Sequence, residues 1–179
     1  MKGLLFNVVQ DVVEQRYGPD VWDDVVRRAG VDGAFTSLGS YDGVEFERIV
    51  GAIANVRGIT LDEAFVLLGR HGFAELSAHH SHLIDHGRGW RDILASLDDE
   101  IHVDVLRVFR DAQVPRFRVL AGADGDGPLL IHYRSKRELC RLAEGLILGL
   151  GEAEGVVLKV DHHTCVRRDE GSCLLVVSD

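Results

Sequence analysis

The sequence predicts an α+β fold, in which a helical N-terminal part packs on a C-terminal four-stranded antiparallel sheet with an intervening helix. Apolar residues recur at helical spacing through about the first two-thirds of the chain. After Pro115, short apolar runs separated by turn residues replace that pattern, as is typical of strands. We therefore expect one domain over residues 1–179, helical to about residue 112 and sheet-containing from about residue 113.

Three apolar stripes define the first helices, at residues 5–13, 21–26 and 46–56. Pro19 favours the start of the second helix, since proline is well tolerated in a first helical turn. Thr60 and Glu63 form the pattern of a capping box, which predicts a fourth helix directly behind them. Shorter helical pieces are expected at about 73–86, 90–96 and 98–110.

The C-terminal part contains four candidate strands and one amphipathic helix. The turn-rich residues 124–127 separate the first two strands and predict a hairpin. The expected strands are 117–120, 129–133, 156–160 and 173–177, with the helix at about 136–150.

Composition excludes several classes of function. A chain of 179 residues with 46% hydrophobic residues can form a core without disulfides. Its net charge of −9 argues against nucleic-acid binding, since phosphate recognition needs a basic surface. No apolar run reaches the ~18 residues of a membrane-spanning helix, so no membrane partner is expected. We expect a cytoplasmic protein, in which three cysteines stay reduced or bind a metal.

His102 is the first candidate functional residue. On a helix it shares a face with Val105, Leu106 and Phe109. A histidine on such a face is consistent with a hydrogen-bonded core residue. It is also consistent with an axial ligand to a flat apolar cofactor lying against the helix.

Tyr133, Ser135 and Arg137 form a second candidate site, where a predicted strand meets the next helix. Ser135 and Glu138 have the spacing of a capping box, and an arginine in a first helical turn breaks the preference for acidic residues there. A carboxylate or phosphate bound by the guanidinium would explain it. An ion pair between Arg137 and a surface acid is the alternative.

The three cysteines fall close to a histidine pair near the end of the chain. His162 and Cys165 have metal-ligand spacing, Cys173 begins the adjacent strand, and Cys140 lies on the preceding helix. This set favours a closed structural zinc site over three unrelated buried thiols. His79, His82 and His86 also share a helical face, but a solvated helix end explains them better than a metal site.

These residues together resemble the heme nitric oxide/oxygen binding (H-NOX) family, and the resemblance covers essentially the whole chain. It rests on the opening Met1-Lys2-Gly3 with Phe6-Asn7, a histidine near position 100, a proline about a dozen residues later, and the motif Tyr-x-Ser-x-Arg. The closest fit within the family is a bacterial stand-alone member of its zinc-containing subset.

The resemblance implies heme b between the two parts of the fold, with His102 as the proximal iron ligand. Tyr133, Ser135 and Arg137 would bind the propionates, and Pro115 would press on the porphyrin. Leu4 and Leu5 would belong to the distal wall. The zinc ligands of the subset would be Cys140, His162, Cys165 and Cys173.

One departure from the family pattern concerns ligand choice. Oxygen-binding members carry a distal tyrosine five residues after the motif arginine, and this chain has Leu142 there. An apolar pocket offers no donor to bound O2, whereas NO binds ferrous heme without one. NO and CO are therefore the expected ligands, with O2 excluded.

The expected function is sensing and not catalysis, since no nucleophile–base pair or phosphate loop is evident. NO would weaken the bond from His102 to iron and change the conformation. A separate partner, a histidine kinase or a cyclic-di-GMP enzyme, would then be regulated. The alternative is a zinc-stabilised, redox-responsive interaction module without heme.

Overall fold

In a computed structural model of the chain, residues 1–79, 86–123, 125, 127–168 and 170–179 are described. The described residues form seven α-helices and one four-stranded sheet. The helices are α1 (Gly3–Tyr17), α2 (Pro19–Ala29), α3 (Gly43–Arg57), α4 (Leu61–His79), α5 (Trp90–Ala95), α6 (His102–Val108) and α7 (Cys140–Ala153). The strands are β1 (Arg116–Ala121), β2 (Leu129–Arg134), β3 (Lys159–Thr164) and β4 (Cys173–Ser178).

The predicted α+β architecture is confirmed. The sheet is antiparallel throughout, in the order β1-β2-β4-β3, and α7 connects its two hairpins. The helix starts at Pro19 and behind Thr60 are also confirmed. Thr60 Oγ1 accepts from the Glu63 backbone at 3.2 Å, and Glu63 Oε2 accepts from the Thr60 backbone at 2.7 Å. Reciprocal hydrogen bonds of this kind satisfy donors that a helix start leaves free.

The predicted separate helices at 73–86 and 98–110 were wrong in their limits. Phe73 lies inside α4, which continues to His79, because the apolar stripe of α4 continues without a break. Residues 98–110 divide into a π-helical turn, Leu97–Ile101, followed by α6. The backbone N–H of His102 bonds to the carbonyl of Leu97, five residues back, so the helix takes up one extra residue just before His102.

Two further boundaries differ from prediction. The strand predicted from residue 156 begins at Lys159, because the Val156 N–H bonds to Gly151 O at 2.8 Å and closes the end of α7. Gly155, with a φ of 70°, allows the chain to turn back at the end of α7. The helix predicted from residue 136 begins at Cys140, because Glu138 has φ of 53° and interrupts helical geometry. Of the predicted turn 124–127, positions 124 and 126 lie outside the described residues.

Two apolar cores fill the fold. One is formed by α1 to α4 and includes Phe6, Phe46 and Phe65. The other lies between the sheet and helices α5 and α7, and includes Ile131 and Leu175. Leu142 on α7 belongs to the first core, whereas Cys140 on the same helix belongs to the second. Helix α7 therefore joins the two cores.

Helices α4 and α7 cross with their backbones in close contact. The crossing depends on Gly69, Gly145 and Gly149, since a Cβ atom on any of them would collide with a backbone carbonyl of the facing helix. A Cβ on Gly145 would lie 2.9 Å from Gly69 Cα. Because backbone atoms cannot rotate away as side chains do, this contact sets the spacing between the two parts of the fold.

We expect Gly145→Ala to lower the free energy of unfolding by about 1–3 kcal/mol, the usual cost of overpacking. Gly51→Ala is the matched control, because Gly51 is also inside a helix but has open space around its Cα. That control should raise stability by up to about 1 kcal/mol through helix propensity. Urea denaturation of both variants measures the difference, and equal stabilities would contradict the close crossing.

Candidate functional site

A cavity of about 540 Å³ lies between the helical part and the sheet. This volume lies within the range of about 300–1,000 Å³ that is usual for small-molecule and cofactor sites. Helices α1, α4, α5, α6 and α7 and strands β1 and β2 all contribute to its wall. The structure brings together here the predicted cofactor residues, namely Leu4, Leu5, His102, Pro115, Tyr133, Ser135, Arg137 and Leu142.

His102 begins α6 and lines the cavity. Its Nδ1 lies 3.0 Å from Oδ1 of Asp98, and both side chains are largely buried. Burial lowers the pKa of His102 below its ordinary value, against the opposing effect of Asp98, so the ring is neutral at pH 7. With Nδ1 bound to the carboxylate, Nε2 is the ring nitrogen left to ligate a metal.

The sequence reasoning missed Asp98. Its second oxygen, Oδ2, accepts from the backbone N–H of Phe117 on β1 at 2.9 Å. The Phe117 ring lies 5.8 Å from the His102 ring and 5.0 Å from the Tyr133 ring, measured between centroids. The sequence did contain a sign of this contact: Asp98 lies four residues before His102, and side chains at that spacing meet on a helix.

Tyr133, Ser135 and Arg137 form a polar end of the cavity. Burial raises the pKa of Tyr133, whose hydroxyl bonds to Ser135. The predicted capping box of Ser135 and Glu138 was wrong, since α7 starts only at Cys140 and its N-terminus has no side-chain cap. Ser135 Oγ instead accepts from the Arg137 backbone at 3.2 Å, in a turn before the helix.

Arg137 therefore precedes α7 and is not in its first helical turn. Its Nη1 donates to Gln113 O at 3.0 Å, which holds the guanidinium beside the segment that carries Pro115. The remaining guanidinium donors and the Ser135 hydroxyl can bind a carboxylate or phosphate at the cavity edge.

The wall formed by α1, α4 and α7 is apolar. Among the described residues, those from these three helices that line the cavity are Leu4, Leu5, Phe73, Leu76, Leu142, Ala143, Leu146, Ile147 and Leu150. None of these side chains can donate a hydrogen bond. Among these described side chains, a ligand bound on this side of the cavity would therefore meet only hydrocarbon.

The second candidate site is a buried cluster of Cys140, His162, Cys165 and Cys173, whose ligand atoms all lie within 4.8 Å of one another. Cys140 Sγ and Cys165 Sγ are 3.6 Å apart, and Cys173 Sγ and Cys165 Sγ are 4.0 Å apart. These distances are too long for a disulfide. They are close to the roughly 3.8 Å edge of a tetrahedron of thiolates around zinc with bonds of about 2.3 Å.

His162 shows that the cluster fits a metal ion. Its Nε2 bonds to Glu144 Oε2 at 3.0 Å, whereas its buried Nδ1 has no hydrogen-bond partner. An unpaired buried ring nitrogen beside three thiols is explained by a bound cation. Burial alone would raise the pKa of Glu144, but the bonds from His162 and Arg141 hold it below its ordinary value.

The sequence reasoning also missed Glu144 and its neighbours. Arg141 donates to Glu144 at 2.8 Å and to Asp62 of α4 at 3.2 Å. Arg167, next to the metal cluster in sequence, binds the same Asp62 at 2.8 Å. The signal for Glu144 was its position four residues after Cys140 on one helix face.

The histidine pattern of residues 79, 82 and 86 lies outside the residues whose side chains are described. Within the described part of the chain, the helices are all too short or too polar to cross a membrane.

Comparisons with known proteins agree on one family. The haem-NO-binding family model matches residues 2–162. The soluble guanylate cyclase gcy-35 of Caenorhabditis elegans is 27% identical over 162 residues, which is 82% of this chain and 22% of that relative. The chain thus spans about a fifth of that relative's length.

Two solved structures share the fold. The H-NOX protein of S. oneidensis in its Fe(II)NO state superposes with a TM-score of 0.91 at 25% identity, over 99% of this chain and 98% of that one. The unliganded Fe(II) H-NOX protein of K. algicida superposes with a TM-score of 0.84 at 21% identity, over 99% and 96% of the chains. The second likeness is one of fold alone.

The cavity, its histidine and these matches define a heme-binding gas-sensor domain related to soluble guanylate cyclase. The chain belongs to the haem-NO-binding, or H-NOX, family.

Proposed function

We propose that the chain is a heme-based nitric oxide sensor whose proximal iron ligand is His102. The observation that carries this proposal is the His102–Asp98 hydrogen bond, which leaves Nε2 free on the wall of a cofactor-sized cavity. Ferrous heme b, held by His102, would supply the iron that binds NO, and NO binding would weaken the bond from His102.

The other lining residues would orient the cofactor. Arg137, Ser135 and Tyr133 can bind its carboxylates at the polar end of the cavity. Pro115 also lines the cavity and has a rigid ring that can press on a flat cofactor. Leu4 and Leu5 form part of the opposite, apolar wall.

Helix α6 is the element proposed to move when His102 is released. Neither α6 nor the π-helical turn before it contains a fully buried residue, and Leu97 and Ile101 of that turn are only partly buried against the sheet core. Segments with few buried contacts open at low free-energy cost. A change in the bond to His102 could therefore shift α6 between two arrangements.

The apolar wall supports selectivity for NO and CO over O2. Leu142 occupies the position where a hydroxyl donor would be needed, and its described neighbours on α1, α4 and α7 are also apolar. Bound O2 is stabilised by a distal hydrogen-bond donor, whereas NO binds ferrous heme without one.

The sensor is proposed to have no catalytic activity of its own and to work in a bacterial cytoplasm. Its output would pass to a separate histidine kinase or cyclic-di-GMP enzyme. The net charge of −9 supports a protein partner more than a nucleic acid.

The cluster of Cys140, His162, Cys165 and Cys173 is proposed to bind zinc, supported by its near-tetrahedral sulfur distances and the unpaired His162 nitrogen. Oxidation of these thiols would release the metal and loosen the end of the sheet. This second input is tested by removing zinc under oxidising conditions and measuring how strongly the protein then inhibits its partner. Unchanged inhibition would mean that zinc is structural only. The alternative function, a zinc-stabilised interaction module without heme, is less well supported, because it explains neither the cavity of about 540 Å³ nor the match to the haem-NO-binding family.

We expect anaerobically reduced protein to bind NO and CO but to form no stable complex with O2. Leu142→Tyr should allow an O2 complex by adding a hydroxyl donor to the apolar wall. Leu142→Phe is the matched control, because it adds a ring of similar size without the hydroxyl. Visible absorption spectra measure each complex. A stable O2 complex in the unaltered protein or in the phenylalanine variant would contradict the proposed selectivity.

Protein purified under reducing conditions should contain about one zinc ion per chain in the cysteine cluster. Glu144→Gln should weaken zinc retention about 10- to 100-fold, since partners that orient a ligating histidine contribute that much to metal affinity. Glu152→Gln is the control on the same helix, where the glutamate pairs with Arg70 on the surface. Chelator competition measures both variants, and identical zinc retention would argue against a ligating role for His162.

A further inference from the structure

We propose that Asp98 is a positioning residue that fixes the His102 ring and strengthens the bond from Nε2 to the heme iron. This inference rests on the proposed function, because it concerns the ligand that the iron would take. Asp98 is not expected to touch the cofactor itself, since its two carboxylate oxygens are already engaged by His102 and the Phe117 backbone.

The geometry assigns one carboxylate oxygen to each partner. Oδ1 lies 3.0 Å from His102 Nδ1, and Oδ2 lies 2.9 Å from the backbone nitrogen of Phe117. The side chains of His102 and Asp98 are only 14% and 18% exposed, so water competes little for these bonds. A hydrogen bond to a carboxylate is stronger in such surroundings than one at the surface.

The carboxylate also determines which ring nitrogen carries the proton. Asp98 Oδ1 is a carboxyl oxygen that accepts hydrogen bonds, and a neutral His102 ring donates to it when its proton is on Nδ1. Nε2 then presents its lone pair, in the form that a metal requires. The structure thus holds His102 in its ligating tautomer.

The Asp98 carboxylate also connects the segment that carries His102 to the sheet. The π-helical turn Leu97–Ile101 and α6 contain no fully buried residue, and Leu97 and Ile101 pack partly buried against the sheet core. Through Asp98 the segment is joined to β1 at Phe117, whose ring also contacts the His102 ring. The ring orientation is therefore set by one carboxylate and one aromatic contact.

A hydrogen bond from Nδ1–H to a carboxylate draws the proton away from the ring, which makes the imidazole a stronger electron donor to a metal at Nε2. A stronger donor holds iron more tightly and favours its ferric state over its ferrous state, which lowers the reduction potential. It also opposes release of His102 when NO binds on the other side. Asp98 would then set how readily the sensor responds.

The test compares Asp98→Asn with the control Asp99→Asn in the heme-loaded protein. Asp99 is exposed, lies in the same turn and changes the net charge equally. The readouts are the iron–histidine stretching frequency of the ferrous protein and its reduction potential. Neither should respond to a purely structural weakening of the turn.

We expect Asp98→Asn to lower the stretching frequency and raise the reduction potential, while Asp99→Asn leaves both at the values of the unaltered protein. Equal values in all three proteins would overturn the proposal. An equal shift in the two variants would also overturn it, because a general loss of negative charge would then be the cause.

A second measurement leaves Asp98 in place, in case its substitution prevents folding. In His102→Gly protein, added imidazole can replace the missing ring and keep an N–H for Asp98, whereas 1-methylimidazole cannot donate. We expect imidazole to bind the heme iron about tenfold more tightly than 1-methylimidazole, the lower end of effects seen for partners of metal-bound histidines. Equal affinities would contradict a hydrogen bond that acts on the iron.

The same data separate this inference from the proposed function. An iron–histidine band that is present in the unaltered protein and lost in His102→Gly supports His102 as the ligand. The Asp98 comparisons then decide the inference alone. If that band is absent, or persists in His102→Gly, the proposed ligand and the role of Asp98 are both overturned.

Discussion

The Asp98 carboxylate is the interaction on which the cavity depends, because it joins His102 to the sheet with two hydrogen bonds of about 3 Å. The segment that carries His102 contains no fully buried residue, and its Leu97 and Ile101 pack partly buried against the sheet core. Without these two hydrogen bonds, the His102 ring could take several orientations. With them, a neutral imidazole presents Nε2 at the wall of the cavity, and the segment that carries His102 is joined to β1.

The rest of the fold places the two candidate sites side by side. Phe117, Tyr133 and Cys173 are neighbours across β1, β2 and β4, so a single row of the sheet runs from the His102 ring to the cysteine–histidine cluster. Helix α7 adds Leu142 to the cavity and Cys140 to the cluster. The glycine crossing holds α7 against α4, so a change at either site acts on the same packed element.

The fold class and the main elements could be predicted because they follow from local periodicity. The errors occur where a single backbone feature overrides the pattern. Val156 has a residue type that favours strands, but its N–H closes α7. Ser135 and Glu138 have the spacing of a capping box, yet the positive φ of Glu138 delays the helix. The spacing of Asp98 and His102, one helical turn apart, could have revealed their contact, whereas Phe117 is nineteen residues from Asp98 and only the folded chain brings these two together.

Whether His102 is the iron ligand is tested most directly by the absorption spectrum of reduced, heme-loaded His102→Gly with and without added imidazole. We expect the variant to lose heme or to show an altered Soret band, and we expect imidazole to restore the spectrum of the unaltered protein. A His102→Gly variant that holds heme with an unchanged spectrum in the absence of imidazole would contradict His102 as the iron ligand.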